Sequence, residues 1–198
     1  MIQPEQAFLN LSDERRQEII STTIALYAEH PYEEVTMRKL CAALKINLNT
    51  FYRYFKTKDD LYLYIYQLLD ERLADILPPD WQMTDFVVDA DTERAQFSEE
   101  EWQFLMRWQD VPDELLQRIC FGDSYANSEK YIAKNLMRLK KEGDVRQDLD
   151  VELAANLLRM STYIFHRYAR EHHLSYEETI ERKHYFYYTL LNYGIRGK

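Results

Sequence analysis

The twenty residues from Thr36 to Phe55, TMRKLCAALKINLNTFYRYF, decide the fold of this chain. They predict two short helices of about eight residues joined by a tight turn, and helices of that length are not stable alone. Five apolar side chains can face inward and hold the pair against the preceding helix: Leu40, Leu44, Ile46, Phe51 and Phe55. This pattern is typical of a helix-turn-helix, although other helical hairpins share it.

The second helix of this motif keeps a set of short polar or flat side chains facing outward. In a helix-turn-helix, the second helix enters the major groove with its N-terminus first, and the preceding helix crosses the DNA backbone. Side chains of this kind can approach base edges and phosphates closely. The outward set comprises Asn47, Leu48, Asn49, Thr50, Tyr52 and Arg53.

The charge of the chain is distributed unevenly. The net charge is −9, which alone argues against a nucleic-acid partner. Residues 36–58, however, hold six basic side chains and no acidic one, whereas the other 175 residues hold 19 basic and 34 acidic groups. A basic patch on an acidic body is the pattern expected of a compact DNA-contacting element, although a charged run is more often a solvated helix face.

Composition and helix signals predict an all-α protein of about nine helices. The 198 residues are 46% hydrophobic and include only four Gly and five Pro. Cap residues are predicted at Ser12, Thr36, Ser98, Asp150 and Ser175, and Gly143 is a predicted left-handed helix end. Helical periodicity continues between these signals, with no internal repeat.

Several other functions are disfavoured by the sequence. The first ten residues lack a secretory signal, and no apolar run is long enough to span a bilayer, so the expected location is cytoplasmic. Two cysteines do not make a disulfide framework or a metal site, and the scattered histidines lack completing carboxylates. No GxSxG, GxGxxG, P-loop or HExxH motif is present. We therefore expect no enzyme activity, catalytic residue, metal or cofactor.

Three stretches carry a resemblance to a known family. TFYRYFKTKDDL, from Thr50 to Leu61, resembles the TetR family signature T-L-Y-x-Y-F-K-[ST]-K-[ED]-x-L. ALYAEHPYEEVTMRKL, from Ala25 to Leu40, is similar to the pattern that precedes it in that family. EGDVRQDLDVELAA, from Glu142 to Ala155, resembles a stretch common in the C-terminal half. The N-terminal resemblance is specific, and the C-terminal one is loose.

The resemblance implies a set of DNA contacts at matching positions. Thr36 and Arg38 would meet phosphates from the first motif helix. Asn47, Leu48, Asn49 and Thr50 would face the groove floor. Tyr52 and Arg53 would hold phosphates or a base, and Lys58 would bind phosphate at the next helix N-terminus. Double-stranded operator DNA is therefore the expected partner.

The motif differs from the usual family pattern at two places. Lys45 stands in the turn where the family usually has Gly, so it must adopt a left-handed conformation or the turn must differ. Leu48-Asn49 replaces a common Lys-Gly pair. Asn49 can still recognise adenine, and Leu48 can touch a thymine methyl. The operator sequence therefore cannot be taken from a relative.

The same resemblance implies two domains. Residues 1–57 would form a three-helix helix-turn-helix domain, and residues 58–198 a helical domain for dimerisation and effector binding. An effector would tilt the helix over 58–77. The acidic body favours a cationic or apolar effector over an anionic one. Six aromatic residues could line the effector cavity, or could equally be ordinary core: Trp102, Phe104, Trp108, Phe121, Tyr125 and Tyr163.

The last two predicted helices, about 150–171 and 176–193, are apolar around more than one face. They either lie deep in one core or pair with a second copy, and the run Tyr185-Phe186-Tyr187-Tyr188 favours a homodimer because tyrosine suits half-exposed interfaces.

The expected function is a dimeric repressor released from a pseudo-palindromic operator by a small molecule. One alternative keeps the DNA-binding head but uses the body to dock a protein. Another is a helical enzyme with a fortuitous motif.

Overall fold

A computed structural model describes residues 2–74 and 94–187, except for the side chains of residues 73–74 and 123–128. These residues fold as α-helices with two short 3-10 helices, at Tyr32–Glu34 and Arg107–Gln109. The ten α-helices of the described part are α1 (Gln6–Leu9), α2 (Asp13–Glu29), α3 (Met37–Ala43), α4 (Leu48–Tyr52), α5 (Lys58–Ala74), α6 (Glu99–Met106), α7 (Asp113–Phe121), α8 (Asp123–Glu142), α9 (Val151–Glu171) and α10 (Tyr176–Tyr185). The predicted all-α class is confirmed, and α1 is the helix that the sequence analysis did not find.

Local capping chemistry sets most of these helix ends. Ser98 and Ser175 each form a complete capping box at the starts of α6 and α10. The Asp150 side chain accepts the Leu153 amide and begins α9. Gly143 ends α8 with a φ of 91°, a left-handed conformation that glycine adopts without steric cost. The caps predicted at these four positions are therefore confirmed.

The described residues form two compact units. Residues 2–72 and 96–119 make up unit 1, and residues 120–187 belong to unit 2. Most of α5 and all of α6 thus pack in the same unit as the helix-turn-helix. The functional boundary after residue 57 stays a prediction.

The core of unit 1 is rich in aromatic rings. The Tyr62 ring lies 4.6 Å from that of Phe104 and 5.1 Å from that of Tyr27, and Tyr27 stacks on Tyr32 at 5.5 Å. Close ring pairs of this kind stabilise a core beyond simple area burial. Arg107 ties α6 to the end of α2, because its guanidinium donates to the carbonyls of Tyr27 and Ala28, each at 2.7 Å.

Unit 2 is built mainly from α8 packed against α9. Six buried residues form its core: Leu136, Leu139, Val145, Ala155, Leu158 and Tyr187. The Tyr187 hydroxyl is the polar side-chain group among these six residues, and it is hydrogen-bonded to the Ser161 hydroxyl. The end of the last predicted helix, residues 188–193, lies outside the described residues.

Candidate nucleic-acid interface

The recognition helix α4 is fixed by a cap at its start and a ring on its inner side. The side-chain oxygen of Asn47 accepts the Thr50 amide at 2.8 Å, which begins the helix. Phe51 is only 1% exposed, and Phe55 after the helix is 2% exposed. The predicted inward set is therefore buried, except that Ile46 is half-buried. These contacts set which face of the helix remains outward.

The turn before α4 has the left-handed residue that the sequence analysis anticipated. Lys45 has a φ of 54°. Its amide donates to the Ala42 carbonyl at 3.2 Å, and the Ile46 amide donates to the Cys41 carbonyl at 3.1 Å. Arg15 on α2 adds a donor, with Nη2 2.9 Å from the Leu44 carbonyl oxygen. These hydrogen bonds hold a non-glycine residue in a left-handed conformation in the turn.

Substitution of Lys45 should reveal this backbone strain. We expect Lys45→Gly to raise the unfolding free energy by about 0.5 kcal/mol, since ~1 kcal/mol of relieved strain is partly offset by unfolded-chain entropy. Lys45→Val should lower it by about 1 kcal/mol or more, because a branched Cβ crowds the left-handed conformation. Urea unfolding of the three proteins measures both values. Equal stability of the Val variant and the parent would contradict a strained turn.

The outward face of α4 exposes most of the predicted DNA contacts. Leu48 is 46% exposed and Tyr52 is 50% exposed, which is unusual for large apolar or aromatic side chains. Asn49 and Arg53 are exposed with them, and Thr50 is half-buried. The fold therefore brings these five side chains to one short helical surface. Their individual contacts with DNA stay predictions.

The first motif helix adds charge and a cap beside this surface. Thr36 begins α3 by accepting the Lys39 amide on its hydroxyl at 3.2 Å, and Arg38 in the first turn of the helix is exposed. Lys45 and Lys56 are also exposed, although Lys56 lies 3.9 Å from the Glu5 carboxylate. These two lysines were counted in the basic patch but not among the predicted contacts.

Lys58 occupies a more enclosed position than its predicted phosphate contact suggests. Its ammonium donates to the carbonyls of Tyr32 and Val35, both at 3.1 Å, and lies 4.1 Å from the centre of the Tyr32 ring. Burial lowers the pKa of Lys58, and the nearby carboxylates of Glu33 and Asp59 oppose that change. In this geometry Lys58 ties the start of α5 to the segment before α3. Its contact with phosphate stays a prediction.

The six predicted effector-lining residues are divided between the two units. Trp102, Phe104 and Trp108 are at most 5% exposed in unit 1, where Phe104 belongs to the aromatic core. Phe121 and Tyr163 contact each other in unit 2, with ring centres 5.2 Å apart. The Tyr125 side chain lies outside the described residues. The six therefore do not form one described cluster, and their role in effector binding stays a prediction.

The described residues show neither a metal-binding cluster nor a membrane-spanning helix. Among the described residues, no group of three or more His, Cys, Asp or Glu side chains is arranged to hold a metal ion. None of the helices in the described ranges combines the length and apolar character needed to cross a membrane.

Comparison with known proteins agrees with this fold and surface. Residues 19–65 match the family model of bacterial regulatory proteins, tetR family. A TetR family transcriptional regulator from Chloroflexus aurantiacus J-10-FL is 21% identical, with 98% of this chain and 99% of that chain covered and a TM-score of 0.51. The TetR family regulator from Cytophaga hutchinsonii is 17% identical, with 96% and 99% covered and a TM-score of 0.56. No curated protein sequence matches the chain.

A third similar structure is GusR of Salmonella enterica, which is 18% identical, with 93% of this chain and 95% of that chain covered and a TM-score of 0.56. At these identities the structural matches show a shared fold. Helices α3 and α4, with the exposed outer side of α4, have the architecture of the helix-turn-helix class of domain. The match over residues 19–65 shows that the helix-turn-helix domain of this chain is similar to that of bacterial regulatory proteins of the tetR family.

Proposed function

We propose that this protein is a dimeric repressor that binds a pseudo-palindromic operator and is released from it by a small-molecule effector. The observation that carries the proposal is the outward face of α4, where Leu48, Asn49, Tyr52 and Arg53 stand exposed within a stretch of unbalanced positive charge. An amide can read a base edge, and an arginine or a tyrosine hydroxyl can hold a phosphate.

A second copy of the chain is the partner that the C-terminal helices favour. Five large apolar side chains of α9 recur every three or four residues, so they share one helix face. Each is between 40% and 59% exposed: Leu153, Leu157, Met160, Ile164 and Tyr168. A monomer rarely leaves such a continuous apolar stripe in water, and a two-fold interface would bury it on both copies. We name these five residues the apolar stripe.

Release from DNA follows from linkage rather than from any single contact. An effector that binds the DNA-free conformation better than the DNA-bound one weakens operator binding by the ratio of its two affinities. This coupling free energy is typically about 1–3 kcal/mol. One solved structure with a similar fold, 18% identical with a TM-score of 0.53, is described as a gamma-butyrolactone receptor of the ArpA type. A protein of similar fold is thus described as the receptor of a small molecule. This supports the proposal that a small-molecule effector binds the present protein.

The experiment that tests DNA binding starts by selecting bound duplexes from a random library with the full chain. We expect Tyr52→Ala to weaken affinity for the selected duplex about tenfold, because one hydrogen bond to a charged phosphate is lost. Affinity of the parent should fall steeply with salt as phosphate contacts release counterions. Fluorescence anisotropy over a salt series measures both effects.

Two variants complete this test. Tyr52→Phe keeps the ring and removes only the hydroxyl, so it separates phosphate bonding from ring contact. Gln103→Ala changes an exposed side chain on α6 and should leave affinity unchanged. A library that yields no enriched sequence, or a Tyr52→Ala protein that binds as well as its parent, would overturn the proposed interface.

A further inference from the structure

One face of α9, separate from the apolar stripe, carries polar and aromatic side chains. Arg159, Tyr163, His166 and Arg170 follow one another at spacings of four, three and four residues, so they share this face. Two residues from the end of α7 pack against it: Cys120 Sγ lies 3.6 Å from His166 Nδ1, and the Phe121 ring contacts that of Tyr163 at 5.2 Å. We call this the basic face of α9.

The two arginines of the basic face are in different electrostatic situations. Arg159 Nε lies 3.0 Å from a Glu129 carboxylate oxygen, which pairs its charge, although the contact does not have the geometry of a hydrogen bond. Arg170 has a buried Nη1 with no hydrogen-bond acceptor among the described residues. A buried guanidinium donor without an acceptor is costly, because the water it has lost is not replaced. An anion bound at Arg170 would supply the acceptor that the described residues lack.

His166 lies close enough to Arg170 and Lys183 for both charges to act on it. Burial holds the pKa of His166 well below its ordinary value, and the nearby charges of Lys183 and Arg170 lower it further. His166 is therefore a neutral imidazole at neutral pH. The net charge of the chain favours a cationic or apolar effector, whereas the buried donor of Arg170 favours an anionic one.

We propose that the basic face of α9 binds a small molecule with a carboxylate at one end and an apolar, aromatic body at the other. The Arg170 guanidinium would hold the carboxylate, since its planar fork matches two carboxylate oxygens. The body would lie along the helix toward Phe121 and Tyr163. Tyr163 and Arg170 are two helical turns apart, about 10 Å along the axis, which sets the ligand length. This inference rests on the proposed function and names the chemical class of its effector.

The first test needs no ligand. If the function of Arg170 is to bind an anion, its unmatched donor destabilises the ligand-free protein. Arg170→Met removes that donor and should raise the melting temperature of the ligand-free protein by about 2–4 °C. The control is Arg167→Met on the same helix, whose exposed guanidinium lies 3.0 Å from Glu171 and should not give a rise. A lower melting temperature for Arg170→Met would overturn the inference, because Arg170 would then have a structural role.

The second test uses 4-phenylbutyrate and its uncharged analogue 4-phenylbutyramide as probes, at millimolar concentration. The carboxylate should raise the melting temperature of the parent and of Arg167→Met by a few degrees, and should leave Arg170→Met unchanged. The amide should have no effect on any of the three. Equal action of the two compounds, an equal shift in Arg170→Met, or no shift in the parent would each overturn the inference.

A parallel measurement separates this inference from the proposed function. Affinity for the selected operator duplex is determined without probe for the parent. If the parent binds the operator but its melting temperature does not respond to the carboxylate, the proposed class of ligand is wrong and the DNA-binding function is not contradicted. A carboxylate shift that depends on Arg170, in a protein with no operator affinity, supports the site and overturns the proposed repressor.

Discussion

Replacing Leu157 and Ile164 together by arginine is expected to convert the proposed dimer into a monomer and to lower operator affinity by at least about a hundredfold. The two side chains are 58% and 59% exposed at the middle of the apolar stripe. In the dimer, each arginine would be buried without a partner, and like charges would face each other across the two-fold axis. A monomer loses the gain of binding two half-sites at once, which is commonly about 10²–10⁴-fold.

Analytical ultracentrifugation measures the association state of the double variant, and fluorescence anisotropy measures its affinity for the selected duplex. The matched control is Glu152→Arg, which changes the net charge by the same two units on an exposed residue of α9 outside the stripe. The control should remain dimeric, and helical circular dichroism should be retained in both proteins. A double variant that sediments as a dimer would place the interface elsewhere.

Phe8→Ala is expected to lower the unfolding free energy by about 3–5 kcal/mol, the cost of a phenylalanine removed from a filled core. Phe8 is fully buried, and its ring lies 4.9 Å from that of Phe55, 5.7 Å from Tyr64 and 6.0 Å from Tyr54. The Glu5 amide adds a bond to the Tyr54 carbonyl at 3.0 Å. The N-terminal segment therefore holds the end of the recognition helix in place.

Urea unfolding compares Phe8→Ala with Leu9→Ala, its neighbour on α1. Leu9 is 43% exposed, so its truncation should change stability by less than about 0.5 kcal/mol. Operator affinity of Phe8→Ala should fall as well, because an unsupported α4 presents its contacts in several orientations. Equal stability of the two variants would mean that α1 contributes nothing to the helix-turn-helix.

The contrast between α1 and the neighbouring helices explains what sequence reasoning could find. The starts of α2 and α3 carry Ser12 and Thr36, whose hydroxyls accept backbone amides three residues later. Those signals are local, and periodic apolar residues follow them. Helix α1 spans only four residues, and Glu5 before it makes no side-chain cap. Such a helix exists only because Phe8 finds a core, and that core is made of residues more than 40 positions away.

The aromatic residues show the same limit at the candidate sites. The sequence predicts Phe104 and Phe121 as possible lining of one effector cavity. The structure places Phe104 in the core of unit 1 and Phe121 beside Tyr163 in unit 2. Arg170 carried no sequence signal at all, since an arginine in a helix is ordinarily a solvated side chain.

The sequence by itself determined the helix-turn-helix, its capped helix starts and the outward side chains of α4, and it narrowed Lys45 to a left-handed residue or a different turn. Each of these depends on residues within a few positions of one another, where backbone geometry and capping chemistry are decisive. Only the tertiary structure decided which apolar face of α9 is covered, which aromatic rings fill a core, and that Arg170 Nη1 is buried without an acceptor among the described residues. Those outcomes depend on how distant segments pack, because burial and charge pairing are properties of neighbours in space.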